Sequence, residues 1–469
     1  MKTLTYLVLT ILVLKSGFLN AQSISISEIE NDLEKQIEKI RHETGVPSIS
    51  YAIISVDSVI LNKAYGFSNV ALKIPATTNT IYNTGSTFKV ITAMGLMQLH
   101  ASNQLNIDFP ITKYLKQTTY RDFDKDSPVT LRHLLSHRSG LKGETTKIPI
   151  WARRLPEPLD SLIRGITPYQ KPGIEFKYCN HCYGISGYII QNISGKSFND
   201  YFKENFLVPL SINNVDPFEP TPMMMERMAL PYYTENNKPV PTNFCRYNVF
   251  PAGDAYFTPS DMGRLLIPQL NSGYYKNTSV LDSSSIKEMQ TNQFTPNNYG
   301  LGVGVSVNNG KKLILHGGSV PGFSAYYILD INIKKGFYVM ANCGDIGNIL
   351  SALSVRAILL LRGEKQVDDL PSFAKKEFKS TTLNVDVLKS YEGKYKLSPE
   401  MYMDVFLEKQ NLFIQISGQS KVQVFPYEKN KFFIKVKDAQ IEFNIDGNGS
   451  IESMTLFQNG KSINGKKMK

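Results

Sequence analysis

The stretch Asn83-Thr84-Gly85-Ser86-Thr87-Phe88-Lys89 opens a segment that leaves this chain few choices. Behind Lys89 runs Val90-Ile91-Thr92-Ala93-Met94-Gly95-Leu96-Met97-Gln98-Leu99, apolar nearly all round, which predicts a buried helix. Ser86 and Lys89 are three residues apart, on one helix face at roughly 5–6 Å between Cβ atoms. Asn83 or Thr84 can cap the helix, and Gly85 lets the backbone turn tightly into it. Ser86 then falls in the first turn, where free N–H groups and the helix dipole favour developing negative charge. Burial lowers a lysine's pKa, and a partly neutral amine can take the proton of a serine hydroxyl. This is the Ser-x-x-Lys arrangement of serine acyl enzymes. Taken alone, the spacing fits a helix cap followed by a surface lysine just as well, so the rest of the chain decides.

With 469 residues the chain exceeds one ordinary core, which predicts two domains. Four cysteines are too few for a disulfide scaffold. The net charge of +11 is spread along the chain and no nucleic-acid motif accompanies it, so nucleic acid is not an expected partner. Residues 1–21 read as an export signal. Lys2 supplies the positive start, and Leu4 to Leu14 is an apolar run too short for a bilayer, which takes about 20 residues. Ala21 is the expected last residue of that signal, and the mature protein is expected to be periplasmic or secreted.

Ser27 and Glu30 form the pattern of a capping box, followed by Ile29, Leu33, Ile37 and Ile40 at helical spacing and by Gly45 as a stop. A strand pair follows, from Ile49 to Ile53 and from Val59 to Phe67. Between Leu96 and Gln293 the pattern is mostly helical with long loops. Thr130 to Leu141 reads as a helix ended by glycine. Its histidines, His133 and His137, lack the glutamate of a zinc-protease helix and are read as structural. No metal or other cofactor is expected.

Lys171-Pro172-Gly173-Ile174-Glu175-Phe176-Lys177-Tyr178-Cys179-Asn180 is a turn and a short extended piece leading into a helix from His181 to Ile193. That turn can aim a phenol and an amide into a cleft. A phenol acts as a base only if a neighbouring cation holds it as phenolate, and Lys89 is the candidate. Cys179 and Cys182 are read as two buried thiols rather than a redox or zinc pair, since no further zinc ligands lie nearby in sequence. From Tyr299 the period becomes two: Leu301 to Val307, an Asn308-Asn309-Gly310 turn, Lys312 to His316, then a hairpin from Phe323 to Leu329 and Phe337 to Ala341. Asn348 to Leu361 is an apolar helix that can pack with the first helix on one face of the sheet. Strands and a helix at both ends with a helical middle give an α+β order.

Residues 364–385 read as a linker. Six short alternating segments then follow between Met403 and Phe457, which suggests a small all-β barrel or sandwich over 386–469.

Ser86-Thr87-Phe88-Lys89, Tyr178-Cys179-Asn180 and His316-Gly317-Gly318 stand in an order that resembles the class C β-lactamase and DD-peptidase family of penicillin-recognising serine hydrolases, which includes D-aminopeptidases and family VIII carboxylesterases. His133-Leu134-Leu135-Ser136-His137-Arg138-Ser139-Gly140-Leu141 and Pro321-Gly322-Phe323 resemble it too. The resemblance implies a β-lactamase/transpeptidase-like fold over 22–363, an antiparallel sheet flanked by helices with a helical subdomain, and a lipocalin-like C-terminal domain. It implies Ser86 as nucleophile, Lys89 and Tyr178 sharing its proton, and Asn180, His316, Gly317 and Gly318 as substrate-binding residues. The backbone N–H groups of Ser86 and Ser319 would form the oxyanion hole. His316 stands where β-lactamases of this class carry lysine, so weak β-lactam turnover is expected, and a histidine that gains charge towards pH 6.

The expected function is an exported serine hydrolase acting through an acyl-enzyme on amide or ester bonds of D-amino-acid peptide, ester or β-lactam type. The alternative is a catalytically idle protein that binds peptidoglycan or peptides. A small molecule or peptide is the expected substrate, and the lysine-rich C-terminal part points to contact with the cell wall.

Overall fold

The computed structural model describes residues 24–115, 126–142, 147–149, 158–163, 166–213, 215–374, 378–398, 401–416, 421–434, 439–447, 449–458 and 461–468. The expected signal segment, 1–21, lies outside the described residues. The chain divides into two compact units, one running to Ala374 and the other from Lys375 to Lys469.

The first unit is carried by a seven-stranded antiparallel sheet. Its order is Gly304–Asn308, Lys311–Val320, Phe323–Asp330, Lys335–Ala341, Ser48–Ile54, Val59–Asn69, Ile74–Pro75. Early and late chain therefore meet at mid-sheet, where Ile49 opposes Ala341 and Ile53 opposes Phe337. Side chains alternate across the sheet, as strand geometry requires. Ile49, Tyr51, Ile53, Phe337 and Val339 join a core with the helices Ile26–Thr44 and Gly347–Leu361. Tyr338 and Met340 face the other way, into the core of the helical middle. The first and last helices of this unit pack together on one face, as their apolar spacing predicts.

The first helix starts earlier than expected. Its cap is Ser25, not Ser27: the Ser25 hydroxyl accepts from the Glu28 N–H at 3.2 Å, and the Glu28 carboxylate accepts from the Ser25 N–H at 2.8 Å. Two Ser-x-x-Glu patterns interleave here, and the earlier one brings Ile24 and Ile26 against the core. The helix expected from Thr130 stops after Leu131–Leu135, and His137 adopts a left-handed conformation with φ of 60°. The middle region also contains short strand pairs that its polar, proline-rich sequence conceals, such as Tyr232–Glu235 with Lys238–Pro241.

The segment expected as a linker is anchored in its first half. Gln36 donates to Asp369 at 2.8 Å and accepts from the Leu370 N–H at 3.1 Å, and Leu370 is buried. Arg356 forms a two-pronged ion pair with Asp32, both bonds 2.6 Å, and reaches the Val367 carbonyl. Residues up to Ala374 thus belong to the first unit.

The second unit is a nine-stranded antiparallel sheet around its own core of Tyr391, Tyr395, Phe432, Ile441 and Phe443. It adds strands Gly393–Ser398 and Lys461–Lys467, where lysines on the solvent side dilute the apolar alternation.

Candidate active site

Ser86 lies in a 3₁₀ turn, Gly85–Phe88, that runs directly into the helix Lys89–Ala101. Two segments crowd this turn. A β-carbon on Gly318 would sit 2.3 Å from the Thr84 carbonyl oxygen and 3.0 Å from the Ser86 nitrogen. One on Gly253 would sit 2.4 Å from the Gly85 carbonyl. Gly85 itself has φ of 52°, and a β-carbon there would lie 2.8 Å from the Ser319 nitrogen. Only glycines let the strand and the turn approach this closely. Strand Gly304–Asn308 pairs only as far as Leu315, so His316 to Val320 form a free edge on that side. The backbone N–H groups of Ser86 and Ser319 are thereby brought to neighbouring positions.

Lys89 is fully buried, and desolvation holds its pKa well below the ordinary lysine value. Its Nζ lies 2.7 Å from the Asn180 Oδ1, 2.7 Å from the Ala252 carbonyl oxygen and 3.0 Å from the Ser86 Oγ. The first two partners can only accept. A neutral amine therefore spends both its protons on them and turns its lone pair to the Ser86 hydroxyl.

Tyr178 is half-buried, and its phenol hydrogen-bonds with Ser86. Desolvation raises its pKa further than that bond lowers it. Lys89 Nζ lies 4.9 Å from the Tyr178 ring centre, but burial lowers the lysine pKa and raises that of Tyr178, and both shifts run against the expected phenolate. Asn180 begins the helix Asn180–Ser194, which places its amide on Lys89. Cys179 and Cys182, read from sequence as thiols, are disulfide-bonded. Cys245 and Cys343 stand outside that disulfide, and both are buried.

His316 is buried and turned inward. Its Nδ1 lies 2.6 Å from the Gly317 carbonyl oxygen and its Nε2 2.9 Å from the Tyr299 hydroxyl. Burial and the Lys89 amine lower its pKa to about 3. His137, which the sequence offered only as structural, packs its ring 4.2 Å from that of Tyr178. Its Nδ1 accepts the Cys179 N–H at 3.0 Å, and its Nε2 lies 3.2 Å from the Tyr299 hydroxyl. A carbonyl can only accept and an amide N–H only donate, so the whole chain has one direction. Cys179 N–H donates to His137, His137 to Tyr299, Tyr299 to His316, and His316 to Gly317. Tyr183 lies alongside, but its proton goes to the Leu135 carbonyl at 2.7 Å.

Sequence reading offered Asn83 only as a helix cap and missed Asp254. Asn83 accepts the Gly85 N–H at 2.9 Å and donates to Asp254 at 2.8 Å. Asp254 is buried, which raises its pKa to about 6. Neither stands in a recognisable spacing, and only the fold brings them together. Among the described residues, no group of histidine, cysteine and carboxylate side chains is arranged to hold a metal.

The family described as Beta-lactamase matches residues 33–347, and a domain of unknown function, DUF3471, matches 379–467. Protein flp of Staphylococcus aureus (strain N315) is 28% identical over 326 residues, covering 67% of this chain and 64% of that protein. The chain thus spans a little under two thirds of that relative's length. Penicillin-binding protein 4* of Bacillus subtilis (strain 168) is 23% identical over 427 residues, covering 86% of this chain and 91% of that protein. Among solved structures, the octameric penicillin-binding protein homologue from Pyrococcus abyssi superposes with a TM-score of 0.60 at 25% identity. That match covers 93% of this chain and 99% of the homologue.

Proposed function

Because this chain belongs to the Beta-lactamase family, we propose that it is a serine hydrolase that cleaves amide or ester bonds through an acyl-enzyme on Ser86. The observation that carries the reading is the buried Lys89 amine, held by two carbonyl oxygens that can only accept and 3.0 Å from the Ser86 hydroxyl, to which it can turn a lone pair when neutral.

In this reading Ser86 Oγ attacks the substrate carbonyl carbon and its proton passes to Lys89 Nζ. The carbonyl oxygen, now an oxyanion, accepts from the Ser86 and Ser319 N–H groups, each worth roughly 10²–10³ in rate. Tyr178, kept as a phenol by burial, donates its proton to the departing nitrogen or oxygen and regains one from Lys89. Water then attacks the acyl-enzyme by the same route reversed, releasing the acid and restoring Ser86. Asn180 orients both Lys89 and the bound substrate. Gly317 and Gly318 contribute backbone to substrate binding, and His316 acts from behind them.

The substrate classes we favour are esters and short D-amino-acid peptides, with β-lactams turned over weakly. The names of the penicillin-binding relatives fit recognition of β-lactams, and the preference within the range rests on His316 standing where β-lactamases of this class carry lysine. We extend the proposal to export, supported by Lys2 and the apolar run Leu4 to Leu14, and to wall contact by the C-terminal unit, where residues 371–469 carry 16 lysines against 11 acidic residues. A fluorophosphonate probe followed by peptide mass spectrometry tests the centre of the reading. The adduct is expected on Ser86, and Ser86→Ala should lose both adduct and turnover while keeping its fold. An adduct on another serine would sink the mechanism, and no adduct would favour an idle binding protein.

A further inference from the structure

The disulfide between Cys179 and Cys182 sits inside the site described above. Cys179 follows Tyr178, precedes Asn180 and caps the helix Asn180–Ser194, its sulfur accepting the Cys182 N–H at 3.0 Å. The pair is asymmetric. Cys179 keeps 9% of its surface exposed and Cys182 none. Tyr178 and Asn180 on either side are half-buried, so Cys179 borders the space a substrate enters. On the buried side, the Ser139 oxygen accepts the Leu141 N–H at 3.2 Å, which leaves its own proton for the Cys182 sulfur 3.1 Å away. Each sulfur therefore already has a donor that would strengthen if it became a thiolate. A structural staple requires neither donor.

We propose that Cys179 and Cys182 are a reversible redox couple built into the active site, and that its reduction by a dithiol silences the hydrolase. The reductant's thiolate attacks Cys179 Sγ, the disulfide breaks, and Cys182 leaves as a thiolate held by Ser139. The reductant's second thiol then closes its own disulfide and releases Cys179. Two electrons pass from the dithiol to the protein, and its two protons end on Cys182 and on Lys89, which leaves Cys179 as the thiolate. Cys179 at a helix N-terminus favours the thiolate. Its neighbours in sequence are the two residues that meet Lys89: Asn180 at 2.7 Å, and Tyr178, whose ring centre is 4.9 Å away. A negative charge placed there favours protonated Lys89, and a protonated amine has no lone pair for Ser86. The silencing half of the proposal rests on the hydrolase reading; the redox couple itself does not.

The test uses the full chain, folded, treated with dithiothreitol and then iodoacetamide. Two alkyl groups per chain beyond those taken without dithiothreitol are expected, on Cys179 and Cys182, with any labelling of Cys245 and Cys343 the same in both samples. Ester turnover should fall at least about tenfold, as one unit of Lys89 pKa would produce, and return on reoxidation. The double variant Cys179→Ala, Cys182→Ala should keep its turnover in the presence of dithiothreitol. If that variant does not fold, the reversible cycle of the natural protein decides alone. Alkylation only after denaturation would overturn the couple, and alkylation with unchanged turnover would overturn the silencing. Failure of the oxidised protein to react with fluorophosphonate would strike the hydrolase reading instead, and the alkyl count would still decide the couple.

Discussion

His316 accepts the hydroxyl proton of Tyr299 across 2.9 Å, and its other ring nitrogen donates to the Gly317 carbonyl oxygen at 2.6 Å. Both nitrogens are thus committed within the protein, and a second proton on the ring would face a donor. The sequence led us to expect a histidine that charges near pH 6 and captures a substrate carboxylate. The fold instead keeps it neutral, with a pKa of about 3. For a carboxylate-bearing substrate, kcat/KM should show no rise between pH 8 and 6 that traces to this residue. Tyr299→Phe removes the donor but not the burial that lowers the pKa, so the profile should stay flat in that variant too. The substitution should also cost about 1–3 kcal/mol of stability for the buried groups left unpaired. A natural protein whose carboxylate affinity climbs towards pH 6, with the climb lost in His316→Gln, would contradict this.

The same buried histidines should make the fold acid-sensitive. Burial lowers His133 to about 4, His316 to about 3 and His137 well below 6.5. Below about pH 6.5 the unfolded chain binds protons that the native state refuses, so stability falls with pH by about 1.4 kcal/mol per unit and per histidine. Asp254 works the other way. Its native pKa of about 6 exceeds the unfolded value, so it gains protons on folding between about pH 6 and 4 and offsets part of the loss. Urea denaturation at pH 6.5 and 5 should differ by about 2–4 kcal/mol. Equal stabilities at the two values would mean that these rings are not held neutral.

Much of this site could be read before folding, and the reason is local. Ser86 and Lys89 share a helix turn, Tyr178 and Asn180 the turn into one helix, and His316 to Ser319 one strand, so each group stands as a short motif, and the order of the three motifs carries the resemblance. The hairpin around Asn309 and Gly310 was equally legible, because both residues take positive φ, 48° and 72°, as its two-residue turn demands. What spacing does not carry is contact between distant segments. Asn83 meets Asp254 across 171 residues, and His137 meets Tyr299 across 162. His137 was mistaken for a helical residue because its left-handed backbone leaves no mark on the sequence.

The anchored stretch before Ala374 fixes where the chain can be cut. Leu370, Asp369 and the Val367 carbonyl are tied to Gln36 and Arg356. A protein ending at residue 374 should fold and keep its Ser86 label, since the first unit retains its core. One ending at 363 loses the buried Leu370 and leaves Gln36 partly unpaired, and should be less stable by about 2–5 kcal/mol. Thermal unfolding of the two truncations compares them directly. Equal melting temperatures would show that the stretch is a linker after all.

Gly318 offers the sharpest separation of chemistry from folding. Its backbone is one that any residue can adopt, so Gly318→Ala adds no φ strain, only a methyl group. That methyl would meet the Thr84 carbonyl oxygen at 2.3 Å and the Ser86 nitrogen at 3.0 Å. Backbone cannot swing aside as a flexible side chain does, so the strand edge must move away from the nucleophile's turn. The Ser86 and Ser319 N–H groups then no longer converge on one oxygen. Losing one such donor costs roughly 10²–10³ in kcat. Lys89 keeps its three contacts, because none of them involves this strand. The variant should therefore bind substrate with a little-changed KM, show kcat lowered by about 10²-fold, and react slowly with fluorophosphonate. Gly317→Ala is the control: its methyl would meet only the Tyr326 ring, at 3.2 Å, so a far smaller effect is expected. Matching losses in the two variants would place the damage in the strand as a whole and not in the oxyanion hole.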